Sequence, residues 1–381
     1  MSRNVRILAV LATLACGQQV PAQGPQQRSP QPKSAEGAVR VDTVTGGLVN
    51  PWALAQLPDG RWLVTERPGR LRYVGLDGKL SEPLAGVPEV VARGQGGLLD
   101  VGIDPQFPTN RTIFLSFSEA GDGGVGTAVA RGRLTETGLE DVRVIYHQFP
   151  KVAGAGHFGS RIVFAPDGTL FITQGDRQQY RDSAQSLSAG LGKVVRINKD
   201  GTIPRDNPFV GRTDARPEIW SYGHRNMQGG AINPVTGKLW TVEHGAAGGD
   251  ELNHPEAGKN YGWPVITYGK DYNGARIGVG TEQDGIEQPV YYWDPVIAPG
   301  GMTFYTGDAF PGWKNNVLIG GLASNALVRV VLENGSVVKE ERYLNELKAR
   351  IRDVQTGADG FIYLVTDMPE GKLLRVRPAA K

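Results

Sequence analysis

The chain has 381 residues, with 41 Lys and Arg against 39 Asp and Glu, for a formal net charge of +2. So even a balance excludes a nucleic-acid groove or an anionic membrane surface as the main partner. Hydrophobic residues make up 40%, enough for a sizeable core, while 53 Gly and 25 Pro signal many tight turns.

The N-terminus reads MSRNVRILAVLATLACGQQVPAQ. Arg3 and Arg6 precede an apolar run, Ile7 to Ala15, that is too short to span a bilayer and has the form of a signal-peptide core. Val20-Pro21-Ala22 supplies small residues for cleavage, so residues 1–22 read as a signal peptide and the mature protein as periplasmic or secreted. Cys16, directly after the apolar run, offers lipid anchoring as the alternative, although Thr13 stands where such a site usually has Leu. Both routes remove or acylate the one cysteine, leaving neither a disulfide nor a thiol nucleophile. The polar, Pro- and Gln-rich segment that follows reads as a flexible linker over 23–40, and residues 41–381 as one folded domain.

From Val41 onward one pattern returns: a turn signal, then alternating apolar residues, often with a second strand. It stands at Leu57 (LPDGRWLVTERPGRLRYV), Ile103 (IDPQFPTNRTIFLSFSE), Phe164 (FAPDGTLFITQGD), Ile232 (INPVTGKLWTVEHG), Gly312 (GWKNNVLIGGLASNALVRVVL) and Gly357 (GADGFIYLVTDMPEGKLLRVRP). Asp-Gly and Asn-Gly turns between strands of period two are hairpin signals. About six units over roughly 340 residues leave some 55 residues each, enough for a four-stranded blade and a long loop. Helical periodicity is nearly absent; Leu344–Ala349 reads as one short turn. The predicted architecture is all-β, a six-bladed β-propeller of four-stranded antiparallel blades, closed by Val41–Val44 pairing into the last blade. A β-sandwich or two barrels would also carry such strands, but the spacing persists to the C-terminus.

Several residues on this frame carry chemistry. Gln95 in GQGGLL and His157 in GAGHFGSR sit in glycine-bracketed loops, where the backbone can approach a ligand closely. An imidazole ahead of a propeller strand can face the central cleft, and its pKa suits a base at neutral pH. Arg225 and Asn226, in SYGHRNMQGG, stand one short strand from a Gly-rich acidic turn running from Gly245 and Ala246 to Glu251. Glu251, Tyr261 and Asp271 then recur at a regular interval, and hard oxygen donors between glycine-permitted carbonyls are what Ca²⁺ prefers. A cation beside a guanidinium suggests a polyanionic cofactor held between them. Arg350 and Arg352 alternate in ARIRDV, so a strand would point both to one face, where they need an anion between them. The histidines show no zinc-ligand spacing, and GDGGVG at Gly121 reads as a turn between strands rather than a dinucleotide loop.

These motifs resemble the glucose/sorbosone dehydrogenase family, most nearly its periplasmic aldose sugar dehydrogenase branch. The similarity runs from VNPWALAQLPDG at Val49 to the final LLRVRP, through GQGGLLDVGIDPQF, GHFGSRIVFAPDG, SYGHRNMQGG, EHGAAGGDELN, NYGWP and RIRDVQTGADG. The resemblance implies a six-bladed propeller, pyrroloquinoline quinone (PQQ) in the central cleft, Ca²⁺, and oxidation of an aldose at C1 to its lactone. It makes His157 the base, Gln95 a substrate contact, and Arg225 a catalytic group touching the quinone with Asn226; Gln95, His157, Tyr272, Arg350 and Arg352 join them around the cofactor. It also implies that the turn carbonyls of Gly245 and Ala246 hold the cofactor calcium. Glu251, Tyr261 through its carbonyl, and Asp271 are implied as a second, structural calcium site. One departure is Ala323, with Ser324, where the glucose dehydrogenases carry a cofactor-contacting lysine. An aldose substrate and a separate electron acceptor are the expected partners, with no nucleic acid and no transmembrane segment. Two other readings suit a calcium propeller: a lactonase-like hydrolase whose metal activates water, and a non-catalytic glycan-binding propeller.

Overall fold

A computed structural model describes residues 39–379 and the backbone of Gln26–Gln27. Signal peptide, Cys16 and most of the linker therefore lie outside the described residues. The strands form six sheets. Blade 1 holds Pro51–Gln56, Trp62–Glu66 and Arg70–Val74, with Leu80 bridging to Val74 where a fourth strand would run. Blade 2 holds Leu98–Ile103, Thr112–Gly121, Gly124–Leu134 and Leu139–His147. Blade 3 holds Gly159–Phe164, Leu170–Gln174, Lys193–Ile197 and Ile219–Tyr222. Blade 4 holds Met227–Ile232, Leu239–Glu243, Asp250–Asn253 and Tyr291–Trp293, and Gln26–Gln27 pairs parallel to its outer edge. Blade 5 holds Pro299–Phe304, Val317–Gly321, Ala326–Glu333 and Ser336–Tyr343. Blade 6 holds Ile351–Thr356, Ile362–Thr366 and Gly371–Pro378, and Val39–Leu48 is its outermost strand. The expected closure is present, with Val41 opposite Val376. GDGGVG is a turn, Gly121 pairing with Gly124, and the expected short turn near 344 is a 3-10 turn at Asn345–Leu347.

The core is a closed ring of six interfaces rather than one centre. Apolar side chains of each blade pack on the next all the way round, and blade 6 meets blade 1 through Trp62 and Tyr363, whose ring centroids lie 4.5 Å apart. A middle strand such as Ile362–Thr366 is buried on both faces, which explains its near-continuous apolar character. Hydroxyls in the second strands stitch neighbouring blades: Thr65 donates to the Leu99 carbonyl (2.6 Å), Ser116 to Ser160 (2.6 Å) and Thr173 to Met227 (2.9 Å). Each such bond contributes about 1 kcal/mol, and more is lost when a buried partner is left unmade.

Every innermost strand carries a register shift near its start, between Pro51 and Ala53, Leu98 and Val101, Gly159 and Ile162, Met227 and Gly229, Pro299 and Met302, and Ile351 and Asp353. A bulge breaks strict alternation and re-aims a side chain. Here it supplies the axis with Trp52, Asp100, Arg161, Gln228 and Arg352. Arg161 pairs with Asp100 (2.7 Å) and Asp353 (3.2 Å) and lies over the Trp52 ring at 4.6 Å. The two carboxylates also accept backbone N–H groups of neighbouring blades, Ile162 (2.7 Å) and Leu54 (3.1 Å). The propeller thus has a charged but internally paired axle.

Candidate active site

The loop ahead of blade 3 carries His157 with φ 51, a left-handed conformation that costs about 1–3 kcal/mol outside glycine and is held by its surroundings. Gly175 permits it, since a Cβ there would lie 2.0 Å from the His157 carbonyl oxygen. The Gln95 side-chain oxygen accepts the His157 backbone N–H at 2.9 Å, so Gln95 braces the loop. The imidazole is buried, with Nδ1 2.7 Å from Asp176 Oδ1. A carboxylate at Nδ1 selects the tautomer whose Nε2 lone pair is free. Burial holds the His157 pKa below its usual 6.5, against the opposing pull of Asp176. The ring is therefore neutral at pH 7. Asp176 was not singled out from the sequence; its one signal is its place at the end of FITQGD, directly after a central strand.

Opposite His157 stands Arg225. Its Nη1 donates to the carbonyls of His244 (3.0 Å) and Gly245, its Nη2 to the Tyr272 hydroxyl (3.2 Å), and its plane lies 5.1 Å from the Trp263 ring centroid. Among the described residues no carboxylate pairs with this guanidinium, and its buried Nε has no partner. The backbone N–H of Arg225 is fixed by Glu243 at 2.6 Å, and the Asn226 side-chain oxygen accepts the Gly159 N–H at 3.1 Å, tying the loop to the strand behind His157. His157, Asp176, Gln178, Arg181, Arg225, Ala246, Trp263, Asp271 and Tyr272 line a cavity of about 430 Å³. His244, behind it, is kept well below its usual pKa by burial and by the charges of Arg225, His157 and Arg352, and its Nε2 is buried without a partner.

Arg350 and Arg352 reach a common point by another route than strand alternation. Arg350 precedes the strand and Arg352 sits in its bulge. Both converge, with Arg67, on Asp367: Arg352 pairs directly, Arg67 lies at 3.6 Å and Arg350 at 3.8 Å. The anion that the two arginines require is thus partly supplied by the protein. Three guanidiniums around one carboxylate still leave two positive charges over. Burial pushes Asp367 up, but Arg352 and Arg67 outweigh it and hold the carboxyl below its usual range. Arg67 and Asp367 were both missed in the sequence, being far apart in it and marked by no motif.

The acidic turn is built differently from the expected pattern. Asp250 accepts the backbone N–H groups of Gly245 (2.8 Å), Ile297 (2.7 Å) and Ala298 (2.7 Å), while burial raises its pKa to about 6. Glu251 is pushed up by burial and by Glu243 across the strand pair, and Asn253 bridges the two carboxyls at 3.0 and 2.8 Å. Asp271 instead faces Arg181 at 3.3 Å on the cleft side. The Tyr261 ring stacks on His224 at 4.7 Å. Glu251 and Asp271 therefore enter separate networks, and among the described residues no group of three or more His, Cys, Asp or Glu side chains is placed to hold a metal. Ala323 donates its N–H to the Ile297 carbonyl at 2.9 Å, and no basic side chain stands at that position.

The propeller thus sets a buried, carboxylate-oriented histidine beside a guanidinium that pairs with no carboxylate among the described residues. Comparison defines the class: residues 48–375 match the family model described as glucose/sorbosone dehydrogenase. The chain belongs to this family and is an oxidoreductase, a sugar dehydrogenase by class; the hydrolase and non-catalytic readings fall away. It is 46% identical over 351 residues to the aldose sugar dehydrogenase YliI of Escherichia coli K12, covering 91% of this chain and 94% of that protein. The solved apo-form of the soluble aldose sugar dehydrogenase from Escherichia coli superimposes with a TM-score of 0.87 at 46% identity, over 89% and 99% of the two chains. The PQQ-bound aldose sugar dehydrogenase of Streptomyces coelicolor gives 0.75 at 28% identity, over 91% and 100%.

Proposed function

We propose that the protein oxidises aldoses at C1 to lactones with PQQ as oxidant, in the periplasm or outside the cell. The observation that carries this reading is the pairing of a free His157 Nε2, set by Asp176, with a guanidinium that no carboxylate among the described residues neutralises, across one cavity. When bound, PQQ would supply a two-electron acceptor for the C1 hydride. The residues fit it: the buried Nε donors of Arg225, Arg352 and Arg67 have no partner, as donors awaiting a polycarboxylate would. Arg225, Asn226, Tyr272, Arg350 and Arg352 would hold it, with Gln95 and His157 beside it. His157 Nε2 takes the proton of the anomeric hydroxyl as hydride leaves C1, and Asp176 stabilises the imidazolium that results. C1 loses its hydrogen as hydride, with both electrons of the C–H bond, while the hydroxyl proton goes to His157, so the C1–O bond becomes the lactone carbonyl and two hydrogens leave the sugar by separate routes.

Calcium is proposed at the carbonyls of Gly245 and Ala246, where it would act as a Lewis acid. The donor type suits Ca²⁺, and Arg225 shares the Gly245 carbonyl. The reaction needs no second calcium at Glu251, the Tyr261 carbonyl and Asp271; here Glu251 is bonded to Asn253 and Asp271 faces Arg181. Purified protein mixed with PQQ and Ca²⁺ should gain quinone absorbance and bleach when an aldose is added, and EDTA should abolish turnover. Full activity with NAD and no quinone would overturn the assignment.

A further inference from the structure

Trp263 belongs to the NYGWP motif, which no catalytic role has yet absorbed. Its indole is buried, and its Nε1–H donates to Asp176 Oδ2 at 2.7 Å. The other carboxylate oxygen, Oδ1, meets His157 Nδ1 at 2.7 Å and accepts the Gln178 N–H at 2.7 Å. The same indole presents its face to the Arg225 guanidinium. One side chain therefore touches both the partner of the base and the anion-binding cation.

The backbone that carries the indole is held as well. Its backbone N–H donates to the Gly223 carbonyl (2.9 Å), and its carbonyl accepts Gln185 Nε2 (2.8 Å). Gln185 and Asn260 exchange amide hydrogen bonds at 3.0 and 2.8 Å. The 3-10 turn Arg181–Gln185 is pinned by the buried Lys193, whose Nζ donates to the carbonyls of Ser183 (2.9 Å), Ala184 (2.9 Å) and Leu191 (2.6 Å). A buried ammonium spending all three protons on one loop holds that loop still.

We propose that Trp263 is a positioning residue. Its N–H fixes Asp176 with one oxygen aimed at His157 and withdraws part of the carboxylate's charge, so that His157 stays neutral at neutral pH. This inference rests on the assignment of His157 as base. The charged or titratable groups acting on His157 are Asp176, Arg225 and Arg177, with His244 close by. Only Asp176 is negative, so a change in its hydrogen bonding is felt directly at the imidazole. Removing one donor makes Asp176 a stronger partner for the imidazolium, and Gln178 keeps it anchored meanwhile.

The test is the titration of the His157 imidazole, followed by NMR in the full chain without sugar, with His157→Ala assigning the signal. Trp263→Phe should raise that pKa by roughly half to one unit and lower aldose turnover at pH 7 by about 3–30 fold. 3-Benzothienylalanine at 263 keeps the ring and deletes only the N–H, so it gives the same readout if the phenylalanine variant folds poorly. Asp176→Asn with Trp263→Phe should lose no more turnover than Asp176→Asn alone, because the indole acts through the carboxylate. An unmoved or lowered His157 titration, or additive losses, would overturn the proposal. A titration that rises in a protein that oxidises no aldose would uphold the positioning and sink the activity.

Discussion

Two regions of the propeller hold excess positive charge, and they do so by opposite means. At Arg225 a single guanidinium has no carboxylate partner among the described residues and is held by carbonyl oxygens, a phenol and an aromatic face. At blade 6, Arg67, Arg350 and Arg352 outnumber one carboxylate, Asp367. The first arrangement leaves its charge open to an anion, because its partners among the described residues are neutral oxygens and an aromatic face. The second is a scaffold in which Asp367 holds the arginines apart and in place, and a ligand shares them with it. On the proposed reading the roles divide: the Arg225 side sits with the base and shapes chemistry, and the Asp367 side binds and supports.

The comparison can be broken most forcefully at the base. His157→Ala should lower kcat by about 10²–10⁴ while PQQ affinity, measured by titrating the apo-protein, stays near wild type. Equal losses in both would merge the two regions into one. The pH profile sharpens the same point. A base must be unprotonated, so kcat/KM should rise with pH through an acid limb lying below 6.5, since burial lowers His157. Asp176 opposes that lowering, so Asp176→Asn should move the limb further down as well as reducing the plateau.

Next in size is Arg352→Ala. It removes the direct partner of a buried carboxylate, and breaking such a pair costs about 3 kcal/mol or more, read as a lower urea midpoint, together with weaker PQQ binding. Arg225→Ala should raise the PQQ Kd by about 10–100 fold with far less effect on the urea midpoint, because no carboxylate is stranded. If the two variants lose stability equally, the distinction between scaffold and charge is wrong. The smallest effect belongs to Arg350→Ala. Its side chain is 48% exposed and 3.8 Å from Asp367, so stability should change by less than about 1 kcal/mol and Kd by a few fold.

Much of this was legible in the chain because it depends on short-range chemistry. Asp-Gly turns at fixed places, period-two strands and apolar middle strands such as IYLVT specify blades wherever they occur, since a strand's faces and a turn's φ are local matters. His157 and Arg225 stand in glycine-bracketed stretches ahead of strands, but it is the family resemblance of those motifs that singles them out. The partners were invisible. Asp176, Trp263, Asp367 and Arg67 lie from fifteen to several hundred positions away from the residues they serve, or carry no motif. Alternation misread Arg350 and Arg352, because the bulge at the start of every inner strand is set by six blades converging on one axis. The regular interval of Glu251, Tyr261 and Asp271 suggested a shared ion, yet the folded turn turns Glu251 toward Glu243 and Asp271 toward Arg181. Sequence by itself determined which segments are strands, which loops carry reactive groups and what chemistry those groups offer. Only the tertiary structure decided which charges meet, because a pKa, a tautomer and an unpaired guanidinium are properties of neighbours brought together through space.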